Sequence, residues 1–215
     1  RDVVDTPHMG WIRLQWWRDE IGKVYDGWDG GKIPVLSTLA PLMQNGTLPH
    51  EWFEALLYAR EFDLEDVAPA SWDGLKNYAD FTTTPLNQLA LRIVGENANL
   101  DEVRHISTNY GLLEAIRSVP LLLSQHRCLL PEDELRERKL SPQKIMDFNH
   151  KKEIVEILKL KYPLFVPYRK PQSWFLQHEQ RMTFIYLKWL KKNGFDVFSP
   201  VLQTQPPFLG LRLAL

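Results

Sequence analysis

The stretch that most constrains the fold of this chain runs from Tyr110 to Pro131 and reads YGLLEAIRSVPLLLSQHRCLLP. It continues a helix that begins after Asn99, because apolar residues recur every three or four positions through its first half. Pro120 lacks a backbone donor, and we expect it to kink the helix there. The apolar stripe of this helix consists of Val103, Ile106, Tyr110, Leu113 and Ile116.

Helical spacing of apolar residues covers most of the remaining chain as well. Asn99 followed by Glu102 makes a capping-box-like start, and Asn193 with Gly194 makes a stop. The predicted helices cover residues 10–25, 33–44, 49–62, 71–94, 99 to beyond 116, 141–162 and 174–192. In the fourth, we expect a kink or break at residues 82–85 and an apolar stripe that includes Leu86, Ile93 and Val94.

The composition of the chain limits its possible domain organisation, partners and location. With 215 residues, 44% of them hydrophobic, the chain can bury one sizeable core, and we expect residues 1–215 to form a single domain. The 26 basic residues balance 27 acidic ones, which offers no electrostatic footprint for nucleic acid. Cys128 is the only cysteine, so the fold has no internal disulfide and a reducing compartment is permitted. The sequence contains no run of about 18 apolar residues, so it predicts no membrane-spanning helix.

The stretch from Tyr110 to Pro131 resembles the second signature of the squalene/phytoene synthase family. In outline that signature reads Asn-x-x-Arg-Asp-x-x-Glu-Asp and closes with Arg-x-x-Leu-Pro. When the signature is aligned with this chain without a gap, its two arginines match Arg117 and Arg127. Its closing Leu-Pro matches Leu130 and Pro131. The remaining signature positions hold Glu114, Ser118, Leu121 and Leu122 in place of the asparagine and the carboxylates.

This substitution implies that the chain is not an enzyme. In active members of the family, carboxylates hold the Mg²⁺ ions that bind the diphosphate, and leucine supplies no ligand. We therefore predict no catalytic residues, no metal and no cofactor, and we expect apolar side chains to fill the former active-site cavity. The family's first acidic motif lies further upstream than Asp2 and Asp5. We therefore expect this sequence to lack the family's N-terminal helices. A prenyl diphosphate synthase remains the alternative.

Two further strings resemble one branch of the family, which assists assembly of mitochondrial respiratory complex I. They are IRLQWWRDE at residues 12–20 and FDVFSP at residues 195–200. The resemblance covers almost all of the chain and implies an all-α, isoprenoid synthase-like helical bundle. It also implies a location in the mitochondrial matrix, or peripheral on the inner membrane, with complex I subunits or assembly factors as partners. A permanent accessory subunit and a lipid-binding protein that uses the old cavity are the other readings.

Four aromatic residues are candidates for partner binding, because aromatic anchors dominate interface energies and these lie off the helical stripes. They are Trp11, Trp16, Phe165 and Tyr168, the last two in the proline-rich loop 163–173. Other polar groups are expected to be structural. Asp63 and Asp66 lie in an acidic turn without a facing partner, and His105 and His126 lie too far apart to share a metal ion.

Overall fold

A computed structural model describes residues 6–65 and 67–214, apart from the side chains of Leu211 and Ala214. Within these ranges the regular structure is helical and no strand occurs, which confirms the all-α prediction. No helix of the described ranges has the length and apolar character needed to cross a membrane. The α-helices are α1 (Pro7–Tyr25), α2 (Pro34–Gln44), α3 (His50–Glu65), α4 (Trp72–Ile93), α5 (Leu100–Arg117), α6 (Val119–Ser124), α7 (Glu132–Glu137), α8 (Pro142–Ile145), α9 (Lys151–Lys161), α10 (Trp174–Lys192) and α11 (Leu209–Ala214).

The chain divides into two compact units, and the boundary falls inside α4. The first unit comprises Arg1–Asp66 with Phe81–Asn97, and the second comprises Val67–Asp80 with Ala98–Leu215. The single domain over residues 1–215 stays a prediction. Asp2, Asp5 and Asp66 lie outside the described residues.

In the first unit, α1 packs closely on α3. A methyl group at Gly10 would lie 2.5 Å from Cδ2 of Leu64, so a larger residue there would force the side chain of Leu64 to move. Arg18 fixes the same pair of helices, with Nε 2.9 Å from Glu54 and Nη2 2.6 Å from Glu61. Apolar residues of α1 at helical spacing form a stripe that faces the core of this unit. Its buried or half-buried members are Leu14, Trp17, Ile21, Val24 and Tyr25.

In the second unit, α5 and α10 are joined by a buried carboxylate. Asn99 caps α5 as predicted, since its Oδ1 accepts from the Glu102 N–H at 2.8 Å. The carboxylate of Glu102, however, accepts from the N–H groups of Gln172 at 2.8 Å and Ser173 at 3.4 Å. Ser173 is the N-cap of α10. Glu102 therefore stabilises the start of another helix 70 residues away in sequence.

A second buried carboxylate, Glu134, organises the region around α7. Its oxygens accept from Trp72 Nε1 at 2.8 Å, Lys161 Nζ at 2.7 Å and Arg138 at 2.7 Å. Burial alone raises the pKa of a carboxyl, but the bonds from Lys161 and Trp72 outweigh it, and the pKa of Glu134 lies below its usual value. Although α7 lies in a highly charged stretch of the sequence, Glu134 and Leu135 are both buried.

The buried face of α4 differs from the predicted stripe. The helix runs without a break through Thr82 to Pro85, and Leu86, Ile93 and Val94 are exposed. The first half of α4 contributes Trp72, Leu75 and Ala79 to the core of the second unit, and the second half contributes Leu89 to that of the first. The buried residues of α4 include Leu75, Ala79, Thr82, Thr83, Thr84, Asn87, Leu89 and Leu91.

The helix predicted over residues 141–162 is two helices, α8 and α9. Asp147 accepts from the backbone N–H of Asn149 at 3.0 Å, and Phe148 has a φ of 63°. A turn of this kind ends a helix, because left-handed backbone cannot continue it. By contrast, α10 has the predicted bounds, and Gly194 follows it at a φ of 67°.

Candidate functional site

The segment that carries the synthase-like signature is broken in the middle. Arg117 is the last residue of α5, Ser118 is its C-cap, and α6 begins at Val119 with Pro120 in its first turn. A first-turn proline is well tolerated because its missing N–H would have no partner inside the helix. The interruption predicted at Pro120 is therefore confirmed, and it separates Arg117 from Leu121 and Leu122.

On the last turn of α5, the retained arginine of the signature pairs with the glutamate that replaces its asparagine. Arg117 lies 2.7 Å from the Glu114 carboxylate, and its guanidinium carbon lies 4.0 Å from the ring centroid of Tyr186 on α10. This cation–π geometry holds the guanidinium against α10. The pKa of the nearby Tyr110 is raised, mainly by burial and secondly by the negative charge of Glu114. Its hydroxyl therefore stays protonated at neutral pH.

The two leucines at the ligand positions have different surroundings. Leu122 is buried, whereas Leu121 is 57% exposed. Leu121 therefore fills no cavity. The reason is the short α6, which buries Val119, Leu122 and Leu123 at helical spacing and leaves Leu121 on the opposite face.

Little open space remains beside Arg117. A cavity of about 10 Å³ lies there, lined on the α10 side by Tyr186, Trp189 and Leu190 and from the C-terminal segment by Val197. This volume is about that of one water molecule. Val197 belongs to the FDVFSP string. It packs in the core of the second unit together with Phe195 of the same string.

After α6 the chain leaves helical structure, so Arg127 is no longer on the helix that carries Arg117. The backbone N–H of Arg127 donates to the carbonyl of Leu122 at 2.8 Å. Burial raises the pKa of Cys128 to about 11, so its thiol is protonated at neutral pH and unreactive. Within residues 6–65 and 67–214, no three His, Cys, Asp or Glu side chains come together as metal ligands.

The predicted partner-binding tryptophans lie on the solvent side of α1. Trp11 is 40% exposed and Trp16 is 43% exposed. Met9 and Ile12, which were not among the predicted contact residues, are exposed too and share a helix face with Trp16 at spacings of three and four. Both residues lie on the face of α1 opposite its core stripe, and their spacing from Trp16 is the sequence pattern that indicates this. We refer to Met9, Trp11, Ile12 and Trp16 as the α1 apolar surface.

The two loop candidates pack within the second unit. Phe165 is half-buried against the cluster around Leu113 and Tyr186. The ring centroid of Tyr168 lies 5.6 Å from that of His105, and its backbone N–H donates to Gln180 Oε1 at 2.6 Å. Both side chains therefore have intramolecular contacts, and their role in partner binding stays a prediction.

Comparison with known proteins identifies the family. The sequence profile of the squalene/phytoene synthase family matches residues 1–159. This chain belongs to that family. The crystal structure of the squalene synthase HpnC from Alicyclobacillus acidocaldarius superposes with a TM-score of 0.69 at 16% identity, over 85% of this chain and 74% of that one. At this identity the likeness shows the fold alone, and it confirms the isoprenoid synthase-like fold.

Within the family, the chain is similar to proteins named NADH dehydrogenase (ubiquinone) complex I, assembly factor 6. The protein from Mus musculus is 26% identical and the one from Homo sapiens 25% identical, each over 99% of this chain and 67% of the relative. A homolog of that name from Dictyostelium discoideum is 28% identical over 56% of this chain and 34% of its own length. This branch is the one that the IRLQWWRDE and FDVFSP strings indicated.

Proposed function

We propose that this protein acts by protein binding in the assembly of respiratory complex I and does not catalyse prenyl transfer. One observation carries the proposal, namely the similarity to complex I assembly factors over 99% of the chain. The proposal does not depend on any ligand or metal.

The altered signature supports the non-catalytic part of the proposal. Ser118 ends α5, Leu121 faces solvent and Leu122 is buried, so these positions offer neither carboxylates nor a common face. Coordination of Mg²⁺ needs several oxygen ligands converging on one point. Glu114 and Arg117, two of the charged residues of the segment, bond to each other.

The α1 apolar surface is the proposed contact with a complex I subunit or another assembly factor. Buried aromatic and methionine side chains are enriched at the centres of interfaces, and tryptophan most often carries large binding energies. The core-facing side of α1 is already occupied, because Arg18 and Gly10 fix it against α3. Burial of the opposite side by a partner would therefore leave the packing of the first unit unchanged.

The proposed location is the mitochondrial matrix, either free or peripheral on the inner membrane. Complex I assembly takes place there, and the proposal follows from that function. Two roles in complex I are compatible with this proposal. The protein is either a transient factor, which leaves the finished complex, or a permanent accessory subunit. Only the subunit would migrate with mature complex I in native gels.

The test is a knockout complemented with three versions of the gene. Wild type should restore complex I in native gels, and the double variant W11S/W16S should not. The matched control is Trp174→Ser, which removes another exposed tryptophan, on α10, and should restore the complex. Squalene and other isoprenoid levels should be equal in knockout and parent. Normal complex I in the knockout, or altered isoprenoid levels, would contradict the proposal.

A further inference from the structure

A second concave surface lies in the second unit, away from the signature segment. It is an open groove of about 470 Å³ between the loop at residues 167–171 and α10. Pro167 and Pro171 form one wall, and Gln177, Arg181 and Phe184 lie along α10. A volume of this size is within the range that holds a small organic molecule.

The wall of this groove is fixed by side chains of α10. Gln180 makes two bonds to Tyr168, accepting from its N–H at 2.6 Å and donating to its carbonyl at 3.2 Å. Gln177 Nε2 donates to the carbonyl of Pro171 at 2.9 Å. Two glutamine side chains therefore substitute for backbone pairing and hold the loop against the helix.

Side chains of α5 fix the two ends of the same loop. The carbonyl of Val166 accepts from Asn109 Nδ2 at 2.8 Å and lies 2.7 Å from His105 Nε2. At the other end, Glu102 accepts from the N–H groups of Gln172 and Ser173. The loop is thus pre-organised, and a ligand that binds it loses little affinity to ordering of the protein.

Lys170 has an unusual backbone conformation in this fixed loop. Its φ is 98°, in the left-handed region that a residue with a Cβ rarely adopts. Glycine would occupy that position without strain. Strained non-glycine residues cluster at binding and catalytic sites, where the surrounding structure maintains them. The side chain of Lys170 lines the groove.

The charges around the groove have one sign. Of the residues described as lining it, the charged ones are Lys170 and Arg181, and both are positive. Arg181 donates to the carbonyl of Leu213 at 2.8 Å, and a guanidinium has five N–H donors, so most of its donors remain for a ligand. From Arg169 to Lys192 the sequence holds six lysines and arginines and one acidic residue, Glu179, which is buried.

We propose that this groove binds a soluble amphipathic organic anion. A carboxylate or phosphate head would pair with Lys170 and Arg181, because guanidinium and ammonium groups are the usual partners of such anions. A short apolar body would pack on Phe184 and the two prolines, Pro167 and Pro171. This site is separate from the α1 apolar surface and from the signature segment, and it goes beyond the proposed role in assembly.

The test titrates the full chain with decyl phosphate as the probe, at concentrations below micelle formation. Amide NMR signals of Gln177 and Gln180 should shift and saturate. Arg181→Glu should weaken binding about tenfold, while Lys188→Glu, the same charge reversal on the same helix outside the groove, should leave it within about twofold. Raising the salt concentration should weaken binding in wild type. Equal losses in both variants would overturn the proposal.

Lys170→Gly separates binding from folding. It removes the cation and relieves the left-handed backbone strain, so the melting temperature should stay equal or rise while affinity for decyl phosphate falls about fivefold. Wild-type affinity in this variant would overturn the proposal. So would equal binding of neutral decyl maltoside, equal binding of inorganic phosphate alone, or Arg181-dependent binding to phosphatidylglycerol vesicles without binding of the soluble probe.

Discussion

The two units contain charge networks built from similar groups in different surroundings. In the second unit, Glu134 is only 6% exposed and has Trp72, Arg138 and Lys161 as partners. In the first unit, Arg18 pairs with Glu54 and Glu61, and the side chain of Glu54 is 40% exposed. The distances in the two networks are nearly the same. The two networks differ in the burial of their carboxylates, since the side chain of Glu134 is 6% exposed and those of Glu61 and Glu54 are 15% and 40% exposed.

Burial changes the cost of losing a partner more than the value of the pair itself. An exposed pair gains little, because water solvates each ion almost as well as its partner does. A buried group that loses its partner has no water to replace it. We therefore expect the Glu134 network to be sensitive to single substitutions and the Arg18 network to be tolerant.

The largest effect is expected for Glu134→Ala. It leaves the indole N–H of Trp72 without an acceptor and two partly buried cations without a counterion, so the free energy of unfolding should fall by about 3 kcal/mol. For a chain of this size that corresponds to a melting temperature lower by about 6–12 °C. Glu137→Ala on the exposed side of α7 is the control and should change little. Equal effects of the two substitutions would contradict the role of burial.

The pH dependence sharpens the same comparison. Because the folded pKa of Glu134 lies below the ordinary value of 4.5, its stabilisation is fully present above that pH and is lost as pH falls through the folded pKa. The stability difference between wild type and Glu134→Gln, measured by urea unfolding, should be constant near neutral pH and shrink below 4.5. A difference that grows on acidification would refute this assignment.

A smaller effect is expected for Arg18→Ala in the first unit. The hydrogen bonds to Glu54 and Glu61 raise the pKa of Arg18, and the residue is charged at all accessible pH values. Solvent screening limits its contribution, so the free energy of unfolding should fall by about 1 kcal/mol. Part of this loss should disappear at high salt, because the side chain of Glu54 is exposed to solvent. A loss as large as that of Glu134→Ala would show that burial does not separate the two networks.

The smallest effect on stability is expected for Trp16→Ser. Its side chain lies opposite the core stripe of α1, and surface substitutions of this kind change stability by about 0.5 kcal/mol or less. Chemical denaturation checks this value. A much larger loss would place Trp16 in the core of the first unit and would remove it from the proposed contact surface.

Helix ends were determined by sequence, because caps act within one turn. Asn99 accepts from Glu102 N–H, Ser173 from Leu176 N–H, and Gly194 takes the left-handed conformation after α10. The break at Pro120 is local in the same way. Such interactions join residues three or four positions apart, so a sequence pattern contains both partners. The same holds for the core stripe of α1.

Tertiary structure decided which polar groups were buried and which apolar groups were exposed. Glu134 looks like part of a solvated charged segment until Trp72 and Lys161 approach from distant positions. Glu102 looks like a capping-box residue until α10 brings two unpaired N–H groups to it. Leu86 and Leu121 fit apolar patterns and are nevertheless exposed. The groove at Lys170 also depends on contacts between α5, α10 and the loop. In each case the partners are far apart in sequence, and only packing shows where water is excluded.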